Sequence, residues 1–365
     1  MASTLAHTHR ARRRLAPAAV LALLPLAACS AIGADDAPEP AGSGDAARGT
    51  VVLVTHDSFA LSDDVVAAFE QETGLSLELR APGDGGALVN QLILTKDAPL
   101  GDVVYGIDNT FASRAIAEGV LEPYESPAAG EDVARYAVDD AHHLSAVDVG
   151  DACVNVDHEW FAERGVPEPT TLEQLTDPAY RDLLVITNPA TSSPGLAFLL
   201  ATVARFGEDG WVDYWTALRA NGVEVVSGWS DAYYVDFSGP SSEGDRPLVL
   251  SYASSPPSEV PEGSDTAPTG ALLDTCFRQV EYAGVLAGAE NPDGAQQVVD
   301  WLLSPEVQAD LPGSMYVYPV DSSVELPEAW SRFAPQPEEP LTLDPEIISE
   351  NRDAWIQEWT DVVLG

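Results

Sequence analysis

The apolar positions of the chain follow two alternating spacings from residue 50 onward. Short apolar or alternating runs predict strands at 51–54, 75–79 and 102–105. Between these runs, apolar residues recur at helical spacing in the segments 61–71 and 87–94. Because strands and helices alternate in this way, we expect a parallel α/β domain at the start of the folded chain.

A second series of the same kind follows. Strands are predicted at 152–156, 183–186, 248–251 and 277–285. Helices are predicted near 171–175 and at 195–206, 211–221, 294–303, 305–311 and 345–363. We therefore expect two α/β lobes, one formed by residues 50–150 with about 277–330 and the other by residues 151–276. The last helix, within 340–365, is expected to pack on the lobes.

The N-terminal segment has the pattern of an export signal. Four arginines between positions 10 and 14 precede an apolar run, 15–28, that is too short for a permanent membrane span. The run ends in Leu26-Ala27-Ala28-Cys29, which resembles the bacterial lipobox, where the cysteine receives lipid. An ordinary cleaved signal with an incidental cysteine is the alternative.

This pattern predicts where the protein resides. We expect residues 1–28 to be removed and Cys29 to be lipidated. Residues 29–49, rich in Ala, Gly, Asp and Pro, would then form a flexible tether. The folded part would be held on the outer face of the cell membrane, on the periplasmic side in a Gram-negative cell.

The charge composition of the chain bears on whether it binds nucleic acid. Among 365 residues, 17 are Lys or Arg and 59 are Asp or Glu, giving a net charge of −42. Such a chain is not expected to bind nucleic acid, because phosphate affinity comes mainly from clustered Lys and Arg. Hydrophobic residues make up 45% of the chain, which is ample for a folded core.

The cysteines indicate a disulfide. Apart from Cys29, the chain has only Cys153 and Cys276. In an exported protein such a remaining pair predicts a disulfide bond. Neither cysteine lies in a CxxC motif or a Cys/His cluster, so we expect no zinc site.

Candidate chemistry lies in the loops that follow the predicted strands, where ligands bind in open α/β folds. Five such loops combine aromatic residues, hydroxyl groups and carboxylates: 55–59, 83–86, 189–196, 226–233 and 250–256. None contains Lys or Arg. Some of these polar residues have a simpler alternative role as helix caps. Together they predict a site for a flat, positively charged organic molecule.

Seven segments then point to a known family. The segments 56–59, 83–85, 102–109, 191–196, 228–233, 248–256 and 318–320 resemble, in order and spacing, the thiamine-binding proteins of bacterial thiamine ABC importers. This resemblance implies a bilobal periplasmic-binding-protein fold of type II, with the ligand in the cleft between the lobes. It also implies a monomeric substrate-binding component, without catalytic activity or cofactor, that delivers thiamine or its phosphates to the permease subunits.

The resemblance assigns ligand-binding residues one by one. It carries over to Asp84, Gly85, Ser192, Ser193, Trp229, Tyr252, Ala253, Ser254 and Ser255, where Ala253 replaces a threonine. The neighbouring loop adds His56 and Asp57, and His56 stands in place of a tyrosine. Tyr316 stands in place of a tryptophan, and Ser258 in place of a second tyrosine.

Two other functions remain open. A ferric-ion or other small-solute binding protein would share the fold, and Tyr233, Tyr234 and His56 are residue types that suit iron. A thiamine-degrading enzyme would need a nucleophilic cysteine, for which Cys153 is the candidate near the expected hinge. Its predicted bond to Cys276 argues against that role.

Overall fold

The computed structural model describes residues 49–365, which belong to one compact unit. The predicted signal segment, the lipidated Cys29 and the tether up to residue 48 lie outside the described residues. Within the described part, no helix is both long and apolar enough to cross a membrane.

One mixed sheet organises the described chain. Its strands are β1 Gly49–Val54, β2 Leu75–Arg80, β3 Val103–Asp108, β4 Leu121–Glu122, β5 Ser145–Asp157, β6 Leu184–Thr187, β7 Glu224–Val226, β8 Leu248–Tyr252, β9 Thr269–Ala271, β10 Phe277–Leu286 and β11 Tyr318–Pro319. The main path through the sheet runs β2-β1-β3-β10-β5-β8-β6-β7.

Helices cover the connections between the strands. They are α1 Asp63–Thr73, α2 Gly85–Leu94, α3 Ala112–Ala117, α4 Glu131–Ala134, α5 His158–Arg164, α6 Ser193–Ala220, α7 Trp229–Asp231, α8 Pro292–Leu302, α9 Pro305–Ser314, α10 Glu328–Phe333 and α11 Pro345–Val363. Short 3-10 segments lie at 173–176, 178–180, 256–259 and 273–275, and a π-helical turn lies at 232–236.

Strand direction divides the sheet into three parts. The pairs β1–β2 and β1–β3 are parallel, as predicted, and so are β6–β7 and β6–β8. The sheet as a whole is nevertheless mixed, because β10 and β5 pair antiparallel with each other and with their neighbours β3 and β8. These two central strands therefore join two parallel groups.

The central strands are buried along almost their whole length. All thirteen residues of β5 are buried, so its side chains meet protein on both faces. Cys153 in β5 and Cys276, directly before β10, form the predicted disulfide. On the same pair of strands, Arg278 Nε donates to Asp151 Oδ1 over 2.6 Å. Covalent and ionic links therefore fix β5 against β10.

One helix prediction is confirmed and another needs correction. The segments predicted as separate helices, 195–206 and 211–221, are two helical parts of α6, divided at Gly207, where the backbone is not helical and φ is 71°. The segment near 171–175 is only a short 3-10 turn at 173–176. Helix α11 has the predicted bounds and packs against α6 and α3, with Trp359 at 5.5 Å from Trp215.

The disulfide should contribute substantially to stability. Replacing both Cys153 and Cys276 by alanine removes a cross-link between positions 123 residues apart in the unfolded chain. We expect a loss of about 2–5 kcal/mol in the free energy of unfolding, measured by urea denaturation. A reductant should lower the midpoint of the wild type and leave that of the variant unchanged. Equal midpoints for oxidised wild type and variant would contradict this expectation.

Candidate functional site

A cavity of about 290 Å³ opens where the loops after several strands converge. Its lining comes from the loops after β1, β2, β6, β7 and β8, from the segment after α9 and from the middle of β10. The lining residues are His56, Asp57, Ser58, Phe59, Ala60, Asp84, Ser193, Trp229, Ser230, Tyr233, Tyr234, Tyr252, Ser255, Ser258, Glu281, Ser314, Met315, Tyr316 and Val317. The size is near the lower limit for small-molecule sites, about 300 Å³.

The structure brings most of the predicted ligand residues to this cavity. Those in its lining are His56, Asp57, Asp84, Ser193, Trp229, Tyr252, Ser255 and Tyr316. Three others lie behind it. Ser192 caps α6 and donates to Thr187 Oγ1 over 2.8 Å. Ala253 packs against the disulfide, and Ser254 is fully buried.

The side chain of Asp84 joins two distant parts of the sheet. Its Oδ1 accepts hydrogen bonds from the backbone N–H groups of Gly85 at 2.6 Å and Ser193 at 3.1 Å. Its Oδ2 accepts from the N–H of Trp229 at 2.9 Å. We call these three contacts the Asp84 bridge. Because Asp84 follows β2 and Trp229 follows β7, the bridge links the loops after the two end strands of the main path.

Burial and hydrogen bonding act in opposite directions on this carboxyl group. Burial raises the pKa of Asp84, whereas the hydrogen bonds from Trp229 and Gly85 lower it, and the net shift is upward. Asp84 thus acts as the cap of α2, one of its two predicted roles, and at the same time lines the cavity.

Two glycines allow the close approach that the bridge requires. A Cβ on Gly85 would lie 2.1 Å from Ser193 Oγ. A Cβ on Gly86 would lie 2.7 Å from the backbone carbon of Thr191. At this contact the N–H of Ala87 donates to the Thr191 carbonyl oxygen over 2.9 Å. Gly86 therefore has a clear packing role, since only glycine lets the two backbones meet here, whereas Gly85 makes room for the Ser193 side chain.

Aromatic rings form one wall of the cavity. Trp229 stacks on Tyr233 with ring centroids 4.9 Å apart and an interplanar angle of 20°. Tyr252 lies 6.5 Å from the same indole ring. The indole is held in place by Nε1, which donates to Ser251 Oγ over 2.9 Å. Tyr234 meets Trp229 edge-on and is 47% exposed, so it lies at the mouth of the cavity.

A buried acid–base cluster forms another wall. His56 Nε2 lies 3.5 Å from Glu281 Oε1, and both side chains are buried. The Tyr105 hydroxyl donates to Asp148 Oδ2 over 2.6 Å and lies 3.2 Å from Glu281 Oε2. The His56 ring rests on Gly106, where φ is 95° and a Cβ would lie 2.3 Å from His56 Cδ2.

Burial and the neighbouring charges change the pKa values of His56 and Asp148 strongly. Burial lowers the pKa of His56, but the Glu281 carboxylate, with Asp84 and Asp148, raises it to about 9 overall. Burial, and secondly the charge of Glu281, raises the pKa of Asp148 well above its usual range. At neutral pH His56 is therefore charged.

Several cavity residues escaped the sequence prediction as ligand contacts. Glu281 lies inside the strand predicted at 277–285, where a lone charged residue between Val280 and Tyr282 was the available signal. The sequence singles out Tyr234 only as a residue type that suits iron, whereas Tyr233 also ends the candidate loop 226–233. Met315 carries no chemical signal in the sequence, and only the fold brings it to the cavity.

The metal and nucleophile alternatives gain no support from these contacts. Residues 49–365 contain no group of three or more His, Cys, Asp or Glu side chains placed to hold a metal ion. Tyr233 is stacked on Trp229, and His56 faces Glu281. Cys153 is bonded to Cys276 and is not a free thiol.

The Asp84 bridge can be tested by removing one acceptor. Asp84→Asn should lower the free energy of unfolding by about 1–3 kcal/mol, because one amide oxygen cannot serve three buried N–H groups. Urea denaturation measures this change. Asp344→Asn is the matched control, since Asp344 caps α11 at an exposed site through a single bond to Glu346 N. Equal losses in both variants would show that Asp84 is an ordinary cap.

Comparison with known proteins places the chain in a family. The sequence profile of bacterial extracellular solute-binding proteins matches residues 98–350. The chain is 30% identical over 327 residues to the thiamine-binding periplasmic protein of Escherichia coli (strain K12), covering 87% of this chain and 94% of that protein. It is also 30% identical to the thiamine-binding periplasmic protein of Brucella suis biovar 1 (strain 1330), covering 86% and 92%.

Solved structures agree with this result. A structure described as a periplasmic thiamin binding protein superposes with a TM-score of 0.73 and 29% identity, covering 89% of this chain and 98% of that chain. Iron-bound HitA from Pseudomonas aeruginosa superposes with a TM-score of 0.65 at 20% identity, covering 86% and 99%, and shows likeness of fold alone. The predicted periplasmic-binding-protein fold of type II is thereby confirmed, and the chain belongs to the family of bacterial extracellular solute-binding proteins.

Proposed function

We propose that this protein binds thiamine outside the cytoplasm and delivers it to the permease of an ABC importer. The observation that carries the proposal is the lining of the cavity, which combines stacked aromatic rings, hydroxyl groups and three carboxylates with no Lys or Arg. Thiamine presents two flat rings, one of them a permanent cation, and a hydroxyethyl group. Relatives that are 30% identical over most of the chain are named as thiamine-binding proteins.

The parts of the cavity suit the parts of this ligand. Trp229 and Tyr252 offer aromatic surface for stacking and cation–π contact, worth about 0.5–2 kcal/mol each. Ser193 Oγ is buried and has no hydrogen-bond partner among residues 49–365, so it is available to a ligand hydroxyl or amine. Binding without chemical conversion is the activity that this arrangement supports.

The charges in the lining favour free thiamine over its phosphate esters. The carboxylates of Asp57, Asp84 and Glu281 face the cavity, and His56 is the one basic side chain among the lining residues. A phosphate group placed here would meet these carboxylates with no Lys or Arg to offset their charge. We therefore infer that unphosphorylated thiamine is the preferred ligand.

The organisation around the cavity follows from the same function. We infer that two lobes, residues 50–150 with about 277–330 and residues 151–276, close over the ligand as a monomer. We also infer that lipid on Cys29 holds the protein at the membrane beside its permease. For ferric binding, the alternative function in this fold, residues 49–365 contain no group of three or more His, Cys, Asp or Glu side chains placed to hold a metal ion.

Titration with thiamine tests the proposal. Thiamine should quench tryptophan fluorescence and raise the melting temperature, and Trp229→Ala should weaken binding roughly tenfold through the lost stacking. Trp160→Ala is a matched control, because Trp160 lies outside the cavity lining. Thiamine monophosphate and diphosphate should bind more weakly than thiamine. Absence of both quenching and thermal shift at saturating thiamine would refute the proposal, and tighter binding of the phosphates would refute the charge preference.

A further inference from the structure

We propose that Glu281 is the counter-charge for the cationic ring of the ligand and that ligand binding displaces the proton of His56. Uptake of the cation would then be coupled to release of a proton. This inference rests on the proposed function, because it takes thiamine as the cation.

Glu281 has three neighbours, His56, Tyr105 and Asp148, and a further side that lines the cavity. Oε1 lies 3.5 Å from His56 Nε2, and Oε2 lies 3.2 Å from the Tyr105 hydroxyl. The carboxylate nevertheless forms part of the cavity lining, with the side chain only 7% exposed. A ligand in the cavity therefore meets a desolvated carboxylate, at which electrostatic attraction is much stronger than in water.

His56 occupies the position of an internal cation. Its Nε2 is buried and makes no hydrogen bond within residues 49–365, because the distance to Glu281 is too long for a strong one. Its Nδ1 lies 3.3 Å from Ser58 Oγ. The imidazolium thus balances the charge of Glu281 without being locked to it, and the contact can be exchanged for another cation.

The groups around His56 come from every element packed against it. Glu281 lies on β10, Asp148 and Tyr105 lie on β5 and β3, and Asp84 caps α2. Asp57 is its neighbour in the chain and also lines the cavity. The closest pair of opposite charges at this end of the cavity is Glu281 with the His56 imidazolium.

A second cation beside Glu281 changes this balance. The imidazolium and a thiazolium ring would repel each other in the cavity, and this repulsion favours loss of the His56 proton. In the free protein the pKa of His56 is raised to about 9, so the proton is present at neutral pH. Binding should lower that pKa and therefore release a proton.

The sign of the pH dependence follows from this linkage. The ligand prefers the form without the His56 proton, so affinity should rise with pH, by up to about tenfold per pH unit, up to the free-protein pKa of about 9. Below the pKa that His56 has in the complex, affinity should become independent of pH. Affinities are compared on the neutral side of the free-protein pKa, where thiamine keeps its thiazolium charge, because in alkali hydroxide adds to the ring and opens it.

Calorimetry with thiamine measures the released proton directly. Titrations at pH 7.5 in buffers of different ionisation enthalpy should show release of up to one proton, and release should decline as the pH approaches the His56 pKa of about 9. An analogue with an uncharged thiophene in place of the thiazolium should release none. These measurements on the wild type need no variant and so do not depend on the folding of one.

Three variants assign the effect. His56→Gln should abolish proton release, and Glu281→Gln should weaken thiamine binding roughly tenfold or more while affecting the uncharged analogue far less. His158→Gln is the matched control, because His158 pairs with Glu168 at 2.8 Å outside the cavity lining. It should keep both proton release and affinity.

The outcomes separate this inference from the proposed function. Thiamine binding without proton release, or with release that persists in His56→Gln, overturns the coupling and leaves the thiamine function intact. Equal losses for thiamine and the uncharged analogue in Glu281→Gln overturn the counter-charge role. If thiamine does not bind at all, both proposals fall.

Discussion

The Asp84 bridge is the interaction on which the geometry of the site depends. A single carboxylate accepts hydrogen bonds from Gly85, Ser193 and Trp229, so it satisfies backbone N–H groups at the starts of three helices. Helix N-termini have unpaired N–H groups and favour negative charge, whereas a buried carboxylate needs hydrogen-bond donors. The carboxylate and the three helix N-termini therefore stabilise each other. The bridge thereby fixes the position of Trp229 relative to the loop after β2.

The central strands β5 and β10 supply acidic residues of the site. Loops after parallel strands bring hydroxyls and aromatic rings to one edge of a sheet, but Glu281 and Asp148 lie within β10 and β5 themselves. Their carboxyl groups share the Tyr105 hydroxyl. Burial, and secondly the charge of Glu281, raises the pKa of Asp148, and Glu281 lies 3.5 Å from His56. The disulfide and the Arg278–Asp151 contact hold these two strands in register nearby.

Periodicity in the sequence was sufficient for most of the fold. Apolar spacing predicts the strand that follows Gly74 and the final helix, 345–363, because this spacing reflects which side chains are buried. The loops around Asp84 and Trp229 were also identifiable, since they follow predicted strands. Glu281 was not, because the sequence around it gives only an apolar strand, and its partner His56 is 225 positions away. Which acids lie close enough to change each other's pKa depends on distances that only the folded chain sets.

Charge selectivity in this protein is a local property. The 59 acidic residues give a net charge of −42, but charges on the surface are screened within about 8 Å at physiological salt. They attract cations in general and distinguish poorly between them. The buried carboxylate of Glu281 acts at contact distance in a water-poor cavity, where the same charge has a much larger effect. Under the proposed function, discrimination between a flat organic cation and its anionic esters therefore comes from the few charges that line the cavity. Among them, the positive charge of His56 is removed when its proton is lost.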